Sequence, residues 1–270
     1  MNKKYQFSLH FISLLLISFT CISQAHQENT KASVIAEGGR LYDKWWQEYG
    51  LAQPATTHPA YPKSAKQKGA TTWRCKECHG WDYRGQEGAY SKGSHYTGIK
   101  GIQNYDGKPV NNILKILKDN NHQYDKVMLD SALKKLALFV SQGQVNPSNF
   151  IDRKSKKAKG DVPLGQHVYA DKCLRCHGIN GKDINFKDDS NPEYVGTVAS
   201  KNPWEALHKI YNGHPGSLMM HRVMHGGHSL RQRRHIGLIS SMESMPFMRN
   251  EISAAGIMHL LTYIQTLPSE

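Results

Sequence analysis

The hydrophobic and polar positions along the chain form one continuous apolar run and two helical stripes. The run "FISLLLISFTCI" follows a basic "MNKK" and precedes "SQA" and His26, the three regions of a secretory signal peptide. It is shorter than the ~20 residues a membrane-spanning helix needs, so residues 1–25 are expected to be cleaved after Ala25, leaving no transmembrane segment in the mature chain. A lipid anchor on Cys21 is disfavoured, because "SFT" before it includes bulky Phe19 and lacks the usual leucine. The first stripe is "DSALKKLALFVSQG" from Asp130, where Leu133, Leu136 and Val140 share one face. The second, "SAAGIMHLLTYIQTLP" from Ser253, has the same character. A Ser or Asp start and a Gly or Pro stop bound both helices.

Between the stripes the chain turns polar. "NPSNFIDRKSKKAKGDVP" is basic and poor in large apolar groups, which predicts a linker over 146–163 between a first half, 26–145, and a second, 164–270. The second half opens with "GQHVYADKCLRCHGINGKDINF" from Gly165, a short helix running into a cysteine pair, and the first with the similar "GGRLYDKWW". Gly38 and Tyr42 are four apart, as are Gly165 and Tyr169, so this register predicts a cysteine at position 46, where Trp46 stands. An insertion over 47–74, rich in Pro, Ala, Thr and Lys, is therefore expected as surface loop.

Removal of the leader leaves Cys75, Cys78, Cys173 and Cys176. A disulfide framework is the simplest reading of paired cysteines in an exported chain, but roughly 245 residues can bury a core without staples. Both pairs are CxxC and both are followed by histidine, in "WRCKECHG" and "CLRCHG". The 94 intervening residues (79–172) far exceed the 15 to 20 or so of a zinc ribbon. Covalent haem needs this arrangement: two thiols add to the vinyl groups and the adjacent His79 or His177 ligates iron. Two motifs predict two covalently bound haem c groups.

Two copies of helix, CxxCHG, variable middle and terminal amphipathic helix resemble tandem class I cytochrome c domains, over nearly all of the mature chain. The resemblance implies an all-α fold with each haem edge partly exposed, and the first-half insertion departs from the usual compact pattern. It also implies a sixth ligand from a loop ahead of the terminal helix. In "SMESMPFMRNEISAAG", Met245 precedes Pro246 and lies eight residues before Ser253, which makes it the second-haem candidate over Met248, Met219 and Met220. The first half has no Met-Pro. His122 stands eight residues before Asp130, the same spacing, and is the first-haem candidate; His95, Met128 and an open position are the alternatives. Bis-His ligation at the first haem and His/Met at the second predict unequal potentials and a downhill relay.

Between residues 208 and 235 lie six histidines, His208, His214, His221, His225, His228 and His235. His221 and His225 would share a helical face, and imidazole with methionine suits copper, but "GGH" argues against a continuous helix and favours a solvated insertion. The net charge of +13 is uneven: residues 26–160 carry 22 Lys+Arg against 12 Asp+Glu, and residues 161–270 carry 11 against 10. Such a field favours an acidic redox partner on the first half, or an anionic substrate. Nucleic acid is not the expected partner of an exported haem protein.

The preferred function is a periplasmic dihaem cytochrome passing electrons between redox proteins, which needs no catalytic group. The alternative is a dihaem oxidoreductase resembling the thiosulfate dehydrogenases, or a peroxidase, with an open haem site. Against the former, the mature chain has no fifth cysteine for a thiolate ligand. A third reading is the electron-transfer subunit of a larger complex.

Overall fold

The computed structural model describes residues 30–216 and 245–269; the expected signal peptide lies outside them. Among the described residues the chain is helical, with isolated β-bridges and no strand, as the all-α expectation requires. No described helix is long and apolar enough to cross a membrane.

Helix α1 spans residues 30–48, followed by α2 (Cys75–His79), α3 (Val110–Leu117), α4 (Asp130–Gln142) and α5 (Val162–Lys172). Then come α6 (Leu174–His177), α7 (Val195–Lys201), α8 (Pro203–Asn212) and α9 (Ala254–Ile264). The boundaries follow local chemistry. Asp161 accepts the Leu164 N–H at 2.9 Å and starts α5, and Ser253 accepts the Gly256 N–H at 3.1 Å and starts α9. On α4, the predicted face of Leu133, Leu136 and Val140 is buried with Phe139; each such residue contributes roughly 2 kcal/mol relative to exposure.

One helix crossing is made twice. Gly38 on α1 lies against the Lys135 carbonyl and Phe139 of α4, where a Cβ would collide with both. Gly165 on α5 lies in the same way against the His259 carbonyl and Tyr263 of α9. Four residues on, Tyr42 meets the Phe139 ring at 5.6 Å and Tyr169 meets the Tyr263 ring at 5.3 Å. The two hydroxyls then donate to equivalent carbonyls, Tyr42 to Gly80 and Tyr169 to Gly178, both at 2.7 Å. The Gly/Tyr register is thus built into contacts at both ends of the chain.

Two apolar clusters form the core, one over α1, α3 and α4 and one over α5, α7, α8 and α9. They are interlocked. Trp81 and Tyr90, just after α2, are buried in the second cluster. In return, His208 of α8 sits 5.7 Å from the Tyr42 ring and 5.6 Å from the Phe139 ring. Arg40 of α1, paired with Glu48 at 2.9 Å, donates to the Asn212 carbonyl at 2.8 Å.

Two segments depart from the sequence reading. Residues 47–74 are not simply surface: His58, Tyr61, Thr72 and Trp73 are buried, and the Trp73 ring packs into the first cluster. Residues 146–163 are fastened rather than loose. Phe150 and Ile151, the segment's large apolar pair, enter the second cluster, and the Ala158 and Gly160 N–H groups donate to Gln265, the C-cap of α9, and to Thr262 within it.

Candidate haem sites

The first CxxCH forms a single turn, α2, which puts Cys75 and Cys78 on one side with His79 next to them. Gly80 ends the turn at φ 77°, a left-handed conformation that costs glycine little. Burial pushes both thiols up to about 12, so they are protonated at neutral pH. A redox-active CxxC needs the opposite shift. Nor do the four thiols converge: among the described residues no group of three or more His, Cys, Asp or Glu is gathered for a metal ion.

These side chains open onto a cavity of about 920 Å³, framed by α1 to α4, whose lining includes Cys75, Cys78, His79, His122, Leu136 and Val140. The volume falls within the range of about 300 to 1,000 Å³ typical of cofactor sites. The His79 ring nitrogen Nδ1 donates to the Lys100 carbonyl at 2.8 Å. Burial, partly offset by that bond, lowers its pKa to about 4, so the imidazole is neutral and its Nε2 is left for a metal. His122 is held in the same way: its Nδ1 meets Asp119 Oδ1 at 3.0 Å and its backbone N–H donates to that oxygen at 2.8 Å. The next residue, Gln123, is left-handed at φ 53°, which turns the chain sharply behind the imidazole.

The His79 and His122 rings are 6.4 Å apart, centre to centre, with planes 19° from parallel. A metal–imidazole bond of about 2 Å, with about 1 Å more to each ring centre, puts two axial imidazoles about 6 Å apart across one iron. The cavity, its two thiols and the paired imidazoles therefore fit a covalent haem. The alternative ligands are committed elsewhere. His95 donates to Glu77 at 2.7 Å and stacks on Tyr90 at 4.7 Å, while Met128 is buried in the first cluster.

Two residues at this site escaped the sequence reading. His58, in the inserted segment, lines the cavity; a lone histidine among Pro and Thr carries no periodic signal. Tyr83, also in the lining, has a left-handed φ of 61°, rare for a bulky residue. Its hydroxyl donates to His208 Nδ1 at 2.8 Å, and His208 Nε2 donates to the Gly39 carbonyl at 2.9 Å. Contact across the two halves, which spacing cannot encode, makes this pair.

At the second motif α6 places Cys176 and His177 in one turn, with Cys173 as its N-cap. Gly178 has φ 73°, matching Gly80. Burial pushes the Cys173 thiol up to about 12 and lowers the His177 pKa. His177 Nδ1 is buried and meets no hydrogen-bond partner among the described residues. A neutral, buried imidazole beside two thiols suits haem attachment. Met245 is half-buried against the second cluster, and its carbonyl accepts the His214 N–H at 3.2 Å. Met248 is core, 7% exposed. Met219, Met220, His221, His225, His228 and His235 lie outside the described residues.

No curated protein and no solved structure matches the chain. Residues 162–268, less than half of its length, match the family Cytochrome c. Spanning α5 to α9 and the second CxxCH, the match supports a c-type cytochrome domain there, with covalently bound haem c and a role in electron transfer to redox partners.

Proposed function

We propose that the chain is an exported, periplasmic dihaem c-type cytochrome that carries electrons between redox proteins, with a second cytochrome c-like unit over residues 26–145. The observation that carries this is the His79–His122 pair, 6.4 Å apart across a cavity that also presents Cys75 and Cys78. Cys75 and Cys78 would hold the first haem by thioether bonds, with His79 and His122 as axial ligands. Cys173 and Cys176 would hold the second, with His177 and Met245. Bound haem supplies a one-electron iron couple.

The protein's share is to fix ligands and bias potential. Lys100 and Asp119 hold the two first-site imidazoles through Nδ1 and leave each Nε2 free, while Ile113, Leu117, Leu136 and Val140 of α3 and α4 give the cavity an apolar wall. Two nitrogens favour ferric iron more than nitrogen with thioether does, so electrons would run from the first site to the second. Under this reading the first iron has no open position, and the thiosulfate or peroxide enzyme is not favoured. Arg84, Lys100 and Lys108 of the first half and Arg153 of the segment after it line the cavity, and residues 26–160 carry an excess of basic residues, which favours an acidic docking partner.

Low-temperature EPR of the oxidised, haem-loaded protein tests the assignment. Two low-spin signals are expected, one lost in His122→Ala and the other in Met245→Ala; a large high-spin signal in the unmodified protein would overturn it. Intact mass should show two haem additions, one lost with Cys75 and Cys78 and one with Cys173 and Cys176.

A further inference from the structure

His58 belongs to the inserted segment, yet it reaches the ligand loop. Its Nε2 lies 3.1 Å from the His122 carbonyl, and a carbonyl can only accept, so Nε2 carries the proton. Its Nδ1 then accepts the Ala60 N–H at 3.2 Å. Both ring nitrogens are engaged, so His58 is not itself placed to ligate, although it lines the cavity.

The ring is clamped from several sides. Trp73 meets it edge-on at 4.4 Å, and the Tyr124 ring lies tilted against it at 5.6 Å. Its backbone N–H donates to Thr72 Oγ1 at 2.9 Å, the Thr57 hydroxyl accepts the Gly69 N–H at 2.9 Å, and Trp73 Nε1 donates to the Thr56 carbonyl at 2.8 Å. Tyr124, two residues after His122, donates to the Trp73 carbonyl at 2.9 Å. The inserted segment is thus closed on itself, Thr56 to His58 being sewn to Gly69 to Trp73 just ahead of Cys75, and it grips the ligand loop at His122 and Tyr124. Asp119 orients the His122 ring from within its own loop, whereas His58 holds that loop's backbone from outside it.

We propose that His58 is a positioning residue that latches the His122 loop against the first cavity and so sets how readily an outside ligand displaces His122. The inference rests on His122 ligating the first iron. The insertion that separates Trp46 from Cys75 then has a role of its own, which is to hold the His122 loop against the first cavity.

The test uses the reduced, fully haem-loaded protein mixed with CO, which binds only after a protein ligand leaves. The kinetic phase that becomes fast in His122→Ala belongs to the first site. His58→Phe keeps a ring against Trp73 and removes the N–H; a lost hydrogen bond of this kind should speed that phase about fivefold to tenfold. His58→Gln carries an amide N–H to nearly the same place and should stay within about twofold of the unmodified protein. If His58→Phe matches the unmodified rate while His122→Ala is fast, or if His58→Gln is as fast as His58→Phe, the latch is wrong and the ligation reading stands. If His122→Ala brings no fast phase, the ligation reading fails and the latch with it. Should His58→Phe not fold, His58→Ala takes its place in the comparison with His58→Gln.

Discussion

The Tyr42 hydroxyl donates to the Gly80 carbonyl at 2.7 Å, joining the first helix to the end of the first CxxCHG turn. Tyr169 repeats the bond to Gly178 in the second half. Both phenols are nearly fully buried, and each carbonyl keeps one further donor, the Tyr83 N–H at 3.3 Å on Gly80 and the Gly181 N–H at 3.1 Å on Gly178, so removing a hydroxyl costs one of two hydrogen bonds. Tyr42→Phe and Tyr169→Phe should each destabilise by about 0.5 to 1.5 kcal/mol, lowering the melting temperature by roughly 2 to 4 °C per kcal/mol in a chain this size. Calorimetry of the two variants checks this, and losses well below that range would mean that the remaining backbone donors satisfy the carbonyls on their own.

The glycine crossings give a sharper test. A methyl on Gly165 would press into the α9 backbone at His259, and backbone cannot step aside as a flexible side chain can. Gly165→Ala should cost about 1 to 3 kcal/mol through this overpacking. Gly69, left-handed and with nothing within reach of an added Cβ, serves as the contrast: Gly69→Ala should lose only the smaller backbone-strain energy, about 1 kcal/mol. Denaturant midpoints of both variants decide it.

Acid should loosen the junction between the halves. Burial lowers the His208 pKa from 6.5 to about 4 against the opposing pulls of Asp43 and the hydrogen bond to Gly39, with Lys209 and Arg249 adding lesser downward contributions. The folded form then binds fewer protons than the unfolded form between those values, so stability is full above pH 6.5 and falls as pH drops toward 4. The loss is at most about 1.4 kcal/mol per pH unit for this group. Melting temperatures from pH 7.5 to 4 should fall less steeply in His208→Gln than in the unmodified protein; parallel curves would assign the acid response elsewhere.

Axial exchange should move the two potentials in opposite directions. His122→Met should raise the first midpoint and Met245→His lower the second, each by an amount on the order of 0.1 V, within the ~0.8 V that axial ligands span. Spectroelectrochemical titration reads both, and two equal midpoints in the unmodified protein would remove the downhill relay.

What was legible from sequence is what is decided locally. The CxxCH turns and the α4 stripe need only neighbours three or four residues away, and a fixed distance to the α4 start singled out His122, which lines the first cavity. His58 was not, because its partners are fixed by tertiary contact with Trp73 and the 119–124 loop. The same holds for the segment read as a linker. Phe150 and Ile151 were too few to look like core, and only the second cluster gives them a place.

Trp81 and Tyr90 lie in the second cluster while His208 caps the Tyr83 hydroxyl of the first half, so nicking and truncation would have opposite results. A protease cut between 146 and 163 would leave two fragments still clasped through these side chains. A gene ended there would yield a first half with two large rings in water and a phenol without its acceptor. Supplying the second half separately should restore it, by complementation rather than by independent folding.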